Sequence, residues 1–314
     1  MQILSKMIFG SHLYGTNTPE SDTDYKGVFM PSKEEILLGR IPKAISETTK
    51  KGNEEKNTVE DIDTDTYSLH YFIYLACEGE TVALDMLHAP PRMVIETSEI
   101  WEELVSLRSK FYTKNLKAFV GYCRKQAAKY GIKGSRLASA KKVNEFLKEQ
   151  NSEVKLADVW DLLPLPEHVY MISDHKSGLR MYQVCGKKLQ ETAKVEYVIP
   201  ILERFIEQYG ERAKLAEKNE GIDWKAVSHA LRAGYQTRYI LKEGTIIFPL
   251  PEATFLRIVK QGQLHYTKEV APVLENLMDE IEELSAISSL PEKVDRKSWD
   301  EWLIKKVEEF YGFH

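Results

Sequence analysis
The chain has 314 residues, a net charge of −5 and 43% apolar residues. That length suits two domains with a substantial core, and the acidic balance argues against a dedicated nucleic-acid coat while leaving room for a local basic groove. Three scattered cysteines without metal-ligand spacing, no leader-like N-terminus, no apolar run of membrane-spanning length and no repeat point to a reducing, cytoplasmic setting with no membrane association.

The first elements carry the densest information. An apolar run ending in Ile8-Phe9 reads as a strand that meets a small-residue turn, Gly10-Ser11. Gly10 allows close backbone approach to a ligand, and Ser11 offers a hydroxyl and an N–H at a helix start. Eleven residues past Ser11 come Asp22 and Asp24, followed by the apolar run Val28-Phe29-Met30. In an extended segment these two acids point the same way. Two carboxylates held that close repel unless a cation lies between them, and Mg²⁺ is commonly bound by one or two carboxylates plus substrate phosphates. The plainer reading is a hairpin turn at Thr18-Pro19-Glu20-Ser21-Asp22. An EF-hand loop is a poor match, because Gly27 falls correctly but Lys26 and Lys33 stand where oxygen ligands are required.

A charged stretch at 50–61 reads as a loop, and VEDIDTDTY at 59–67 as a third strand with an acidic face. It runs into a helical pattern, SLHYFIYLACEGETVALDMLHAP. One acid from this strand is available to join Asp22 and Asp24; alternatively, all of them belong to a solvated edge strand. Cys77 lies on the apolar face of the following helix and reads as packing. Pro90-Pro91 marks a stiff junction near residue 90. Beyond it the pattern is mostly helical, with helices expected at 98–109, 112–130, 136–150, 155–162, 187–219, 223–242, 251–261, 267–286 and 297–311. Gly210 is a place where the long 187–219 segment could break, and 170–186 is ambiguous, with room for a short hairpin. The expected architecture is α+β: a small α/β catalytic domain over 1–95, then a larger helical domain over 96–314, with substrate in a cleft between them.

Two features of the helical region bear on function. From Ser106 to Lys142 there are eleven Lys or Arg residues and no Asp or Glu, with aromatics interleaved. The charges read as a positive wall for a triphosphate or a polynucleotide backbone, whereas the aromatics read better as a buried helix face. Its sharpest piece is Lys133-Gly134-Ser135-Arg136, a turn that can offer N–H groups and cations to a phosphate. The second feature is the helix from Trp224 to Lys242, where Ser228, Arg232 and Gln236 recur at i, i+4 and i+8, flanked by His229 and Tyr235. This polar stripe suggests a face turned to a cleft, with Arg232 on a γ-phosphate and His229 on a phosphate or base edge. A buried structural network is the rival explanation.

The order of strand, Gly-Ser, Asp-x-Asp and later strand Asp resembles the DNA polymerase β nucleotidyltransferase superfamily. More narrowly, GSHLYGTNTPESDTDYKGVFMPSKEEILLG is similar to the RNA-repair-pathway polymerase β family, whose members are often phage-encoded. The Ser-Leu-His-Tyr-Phe helix, the Asp85-Met86-Leu87-His88 segment, KYGIKGSRL and SHALRAGYQTRYILKEGTIIFPL extend the resemblance, strong over 3–95 and patchier to about 265. It implies a metal-dependent transfer of a nucleoside monophosphate from an NTP, with release of pyrophosphate, to a hydroxyl acceptor: an RNA end first, tRNA included. Two Mg²⁺ or Mn²⁺ ions are implied. Gly10 and Ser11 then contact phosphate, Asp22 and Asp24 are metal ligands, and Asp63 is the third carboxylate, with Asp65 a rival and Asp61 behind both. Lys133, Arg136, Arg232 and His229 are further nucleotide-binding candidates. Members often have Arg where His12 stands, and often a helix ahead of the first strand, here expected to be missing or supplied from elsewhere. The alternatives are a toxin-like enzyme modifying a protein or tRNA, a small-molecule acceptor, and a non-catalytic nucleotide or nucleic-acid binder.

Overall fold
The computed structural model describes residues 2–49, 61–114, 134–173 and 178–312; a few side chains within the helices, Arg136 among them, also lie outside the description. The chain divides into two compact units. One comprises Met1–Arg124, Trp224–Leu264 and Asn276–His314, the other Lys125–Asp223 and His265–Glu275.

The first unit is built on a five-stranded sheet. Strand β1 (Gln2–Ile8) is followed by a one-turn helix α1 (Gly10–Tyr14), then β2 (Thr23–Met30), α2 (Lys33–Leu37), β3 (Ala44–Thr48) and β4 (Ile62–Ser68). Helices α3 (Leu69–Cys77) and α4 (Thr81–Leu87), the short β5 (Val94–Glu96) and α5 (Glu99–Ser106) come next. The strand order is β3-β4-β2-β1-β5, and β2–β4 is the parallel pair in an otherwise antiparallel sheet.

The sheet's core is made where strand alternation meets helix periodicity. Leu4 and Met7 of β1, Val28 to Met30 of β2, Phe72 and Ile73 of α3, and Ala83, Leu84 and Leu87 of α4 are each at most 1% exposed. Ser32 caps α2 in a reciprocal box with Glu35, and Ser68 accepts from the Tyr71 N–H to start α3.

Helices α8 (Trp224–Glu243) and α9 (Ala253–Lys260) pack on each other within this unit, and α11 (Arg296–Tyr311) packs on α3. Trp302 Nε1 donates to Glu103 at 2.8 Å, and Trp299 stacks on Phe111 at 4.0 Å between centroids. The α8 and α11 segments match the helices expected at 223–242 and 297–311.

The second unit holds α6 (Gly134–Lys148), α7 (Val195–Glu217) and a three-stranded antiparallel sheet of β6 (Val169–Ser173), β7 (Arg180–Val184) and β8 (Lys187–Gln190). Val143, Leu147, Leu156, Tyr182, Val195, Val198 and Leu202 form its core.

Here the sequence expectations are met in part. The ambiguous 170–186 stretch is part of a meander, and 187–190 is strand rather than helix. The cause is local: Cys185 and Gly186 both adopt positive φ, 50° and 90°, as a two-residue hairpin turn requires. Helix α7 therefore starts at Val195, and it runs through Gly210 without a break. Residues 156–162 are 3₁₀ rather than α, and α10 (Ala271–Ile287) is preceded by a π-turn at Tyr266–Val270. The helix expected at 112–130 lies mainly outside the described residues.

Candidate active site
Three backbone relations assemble the site. β1 runs antiparallel to β2, and past its end the Phe9 N–H donates to the Asp24 carbonyl at 2.8 Å. This ties the Gly-Ser turn to the strand that carries the acids. Gly10 then turns with φ of 61°. A Cβ built on Gly10 would stand 1.8 Å from Asp24 Oδ2, so the bare glycine backbone leaves the space that the carboxylate fills. Finally, the parallel register of β2 and β4 sets Asp24 opposite Asp63 and Lys26 opposite Asp65.

Asp22, Asp24 and Asp63 each bring a carboxylate oxygen to within 4.8 Å of the other two. The rival Asp65 is used elsewhere: Lys26 and Ser46 both donate to its carboxylate. Burial works to raise the Asp65 pKa, but those two hydrogen bonds prevail and hold it below the ordinary carboxylate value. Asp24 shows the opposite balance. Burial first, then repulsion from Asp22, lifts its pKa above the usual carboxylate value, with Asp63 adding and Lys26 and Lys225 opposing.

Such a triad fits a hard divalent cation. All the donors are carboxylate oxygens, the set Mg²⁺ and Mn²⁺ accept and softer metals do not need. The mutual repulsion at Asp24 is the charge excess a cation would relieve.

Helices α1 and α8 carry further polar groups. Ser11 Oγ and His12 Nε2 are both buried without a hydrogen-bond partner among the described residues. The Arg232 guanidinium lies 3.7 Å from the centroid of the Tyr14 ring, and its Nε is likewise buried without an acceptor. His229, three residues before Arg232 on α8, is half-buried.

The stripe expected to face a cleft is in part buried structure: Ser228 donates to the Leu256 carbonyl at 2.8 Å, and Gln236 is fully buried. Lys133 and most of the basic stretch, residues 115–133, lie outside the described residues. Arg136 falls in α6, its side chain outside the description.

Sequence reasoning missed three residues. Lys225 sits at the start of α8, exposed, and its charge reaches Asp24. It lies two turns before Arg232 on the same helix face, a spacing of i, i+7 that was visible in the sequence. Tyr14 and Asp85 are buried at 6% and 0% exposure and bonded to each other. For Asp85 the signal was a lone acid within the apolar helix segment Val82-Ala83-Leu84-Asp85-Met86-Leu87.

With this geometry in place, comparison with known proteins gives the lineage. Residues 1–155 match the RNA repair pathway DNA polymerase beta family. An uncharacterised 38.9 kDa protein in the nrdC-mobD intergenic region of Enterobacteria phage T4 is 41% identical over 325 residues, spanning 96% of both chains. The chain belongs to the RNA-repair-pathway DNA polymerase β family, with a polymerase β-type nucleotidyltransferase domain and an Asp22/Asp24/Asp63 triad. Among the described residues no helix is long and apolar enough to cross a membrane.

Proposed function
We propose that this protein is a nucleotidyltransferase that moves a nucleoside monophosphate from an NTP to a hydroxyl, with an RNA end, tRNA included, as the acceptor. The observation that carries the reading is the meeting of three carboxylates beside a glycine whose missing side chain makes room for one of them. The RNA acceptor is supported by the family description and by the acid-free basic stretch at 106–142.

Asp22 and Asp24 would hold two Mg²⁺ or Mn²⁺ ions, with Asp63 completing the ligand set on the acceptor side. Bound there, the ions supply Lewis-acid stabilisation of the triphosphate and of the attacking oxygen. The chain's own groups do the rest. Gly10 and Ser11 present backbone N–H and a hydroxyl to the triphosphate at the start of α1. Arg232 and Lys225 set cations on one face of α8 to offset its negative charge, with Lys133, Arg136 and His229 as further contacts. Asp63 accepts the proton of the acceptor hydroxyl. That oxygen bonds to the α-phosphorus as the α–β bridging bond breaks, and pyrophosphate departs.

The test is label transfer. Incubation with α-labelled ATP, CTP, GTP or UTP, Mg²⁺ and total RNA should place label on RNA and release pyrophosphate. Asp24→Ala should lower transfer by at least about 10³-fold while leaving the fold intact, because it removes a transition-state ligand and relieves repulsion. Label on protein instead would favour the toxin-like alternative. RNA retarded on a gel with no pyrophosphate released would mark a binder.

A further inference from the structure
A fully buried carboxylate is costly unless it is paired, and it calls for a reason. Asp85 of α4 is 0% exposed. Tyr14 Oη donates to its Oδ2 at 2.9 Å, and Gln236 Nε2 donates to its Oδ1 at 2.6 Å. The charge of Arg232 is the strongest influence opposing burial at Asp85. Arg232 forms no ion pair with that carboxylate among the described residues. Tyr14 touches both, its hydroxyl bonded to Asp85 and its ring centroid 3.7 Å from the Arg232 guanidinium.

The arrangement spans three helices distant in sequence, all in the first unit. Tyr14 ends α1, the helix that begins with Gly10-Ser11 beside the triad. Phe9 and Phe248 pack on the Tyr14 ring, each at 5.7 Å between centroids. Gln236 and Arg232 are one turn apart on α8. The ring is thus fixed at its hydroxyl and on its sides, and the guanidinium stacked over it has an Nε with no acceptor. A cation stacked on an immobilised ring, and left short of acceptors, is poised for an anion.

We propose that Asp85, through Tyr14 and Gln236, is a positioning residue that holds the Arg232 guanidinium in place to bind the triphosphate of the incoming nucleotide. This rests on the nucleotidyltransferase reading and deepens it. Asp85 touches no substrate; it fixes the ring on which Arg232 lies and the helix face that carries it.

A double-mutant cycle tests the coupling, with inorganic tripolyphosphate and Mg²⁺ as a base-independent probe and calorimetry on the full chain. Asp85→Asn and Arg232→Ala should each weaken tripolyphosphate binding about tenfold, the size of one lost charge-assisted bond. The double variant should bind no more weakly than Arg232→Ala alone, because Asp85 acts only through Arg232. A merely structural role for Asp85 would instead lower affinity additively in both backgrounds. Tyr14→Phe, which removes one oxygen and keeps the ring, should lose less than Tyr14→Leu and serves if Asp85→Asn does not fold.

Equal or tighter binding by Asp85→Asn, or additive losses in the cycle, would overturn the proposal while leaving Asp24-dependent label transfer standing. If the native chain bound no tripolyphosphate and transferred no label, the nucleotidyltransferase reading would fall and this inference with it.

Discussion

At the scale of single residues, the site depends on an atom that is absent. Gly10 has φ of 61°, and a Cβ there would meet Asp24 Oδ2 at 1.8 Å. Gly10→Ala therefore carries two penalties. The left-handed backbone costs roughly 1–2 kcal/mol for a residue with a side chain, and Asp24 must move off its position in the triad. The expected outcome is a fold that survives with Tm lowered by a few degrees, and label transfer reduced by at least about 100-fold. Transfer at the native rate by Gly10→Ala would mean that Asp24 need not sit where it does.

The residue scale is also where the sequence was most legible. Gly10, Ser11, Asp22 and Asp24 could be picked out because strand alternation and turn chemistry act over a few residues. The choice between Asp63 and Asp65 could not, because both lie on the same face of β4. Only the register against β2 separates them, by pairing Asp63 with Asp24 and handing Asp65 to Lys26.

At the scale of elements, the buried Asp85 links helices α1, α4 and α8, and it leaves a mark on stability. Burial is the larger effect and raises its pKa from an ordinary 3.8 to about 7, against the opposing influence of Arg232, Tyr14 and Gln236. The folded state therefore holds the Asp85 proton more tightly than the unfolded chain does. As pH rises from about 4 towards 7, the unfolded chain ionises first, so this group's contribution falls with pH and levels off above 7. A rise of that size corresponds to at most about 4 kcal/mol. Asp85→Asn cannot ionise and should escape that loss. Denaturant unfolding across pH 4 to 8 should show the variant gaining on the native chain as pH rises. A stability difference that does not change with pH would contradict the raised pKa.

Elements were legible in the sequence to the extent that their signals are local. Helices α8 and α11 fell close to their expected spans because amphipathic periodicity and end signals lie within the segments. The β6–β8 meander was only half seen. Its turn uses a Cys-Gly pair rather than the Asn-Gly that usually announces a tight hairpin, so β8 was absorbed into the helix that follows. Gly210 did not break α7 because a helix held by a packed face tolerates one glycine at a cost of about 1 kcal/mol. Val195, Val198 and Leu202 of α7 are fully buried in the second unit's core.

For the whole molecule, the α+β class was readable in chain order: alternating strands and helices first, then mostly helix. The grouping into compact units was not, because Trp224–Leu264 and Asn276–His314 join the N-terminal sheet across long sequence separations. That joining has a functional consequence. It brings Lys225 within electrostatic reach of Asp24 and stacks Arg232 on Tyr14, so the family's Gly-Ser and Asp-x-Asp elements gain cations from a helix some two hundred residues downstream. The local stripe on α8 marks Arg232 as a candidate, but its partner Tyr14 on α1 lies more than two hundred residues away and is visible only in the folded chain.

Mn²⁺ binding, measured by calorimetry on the native chain, Asp63→Asn and Asp65→Asn, tests the cation-binding triad most directly. The account predicts binding by the native chain, loss of about 100-fold or more in Asp63→Asn, where a ligand is removed, and near-native affinity in Asp65→Asn, whose carboxylate is taken by Lys26 and Ser46. Equal affinity in all three, or loss in Asp65→Asn alone, would contradict it.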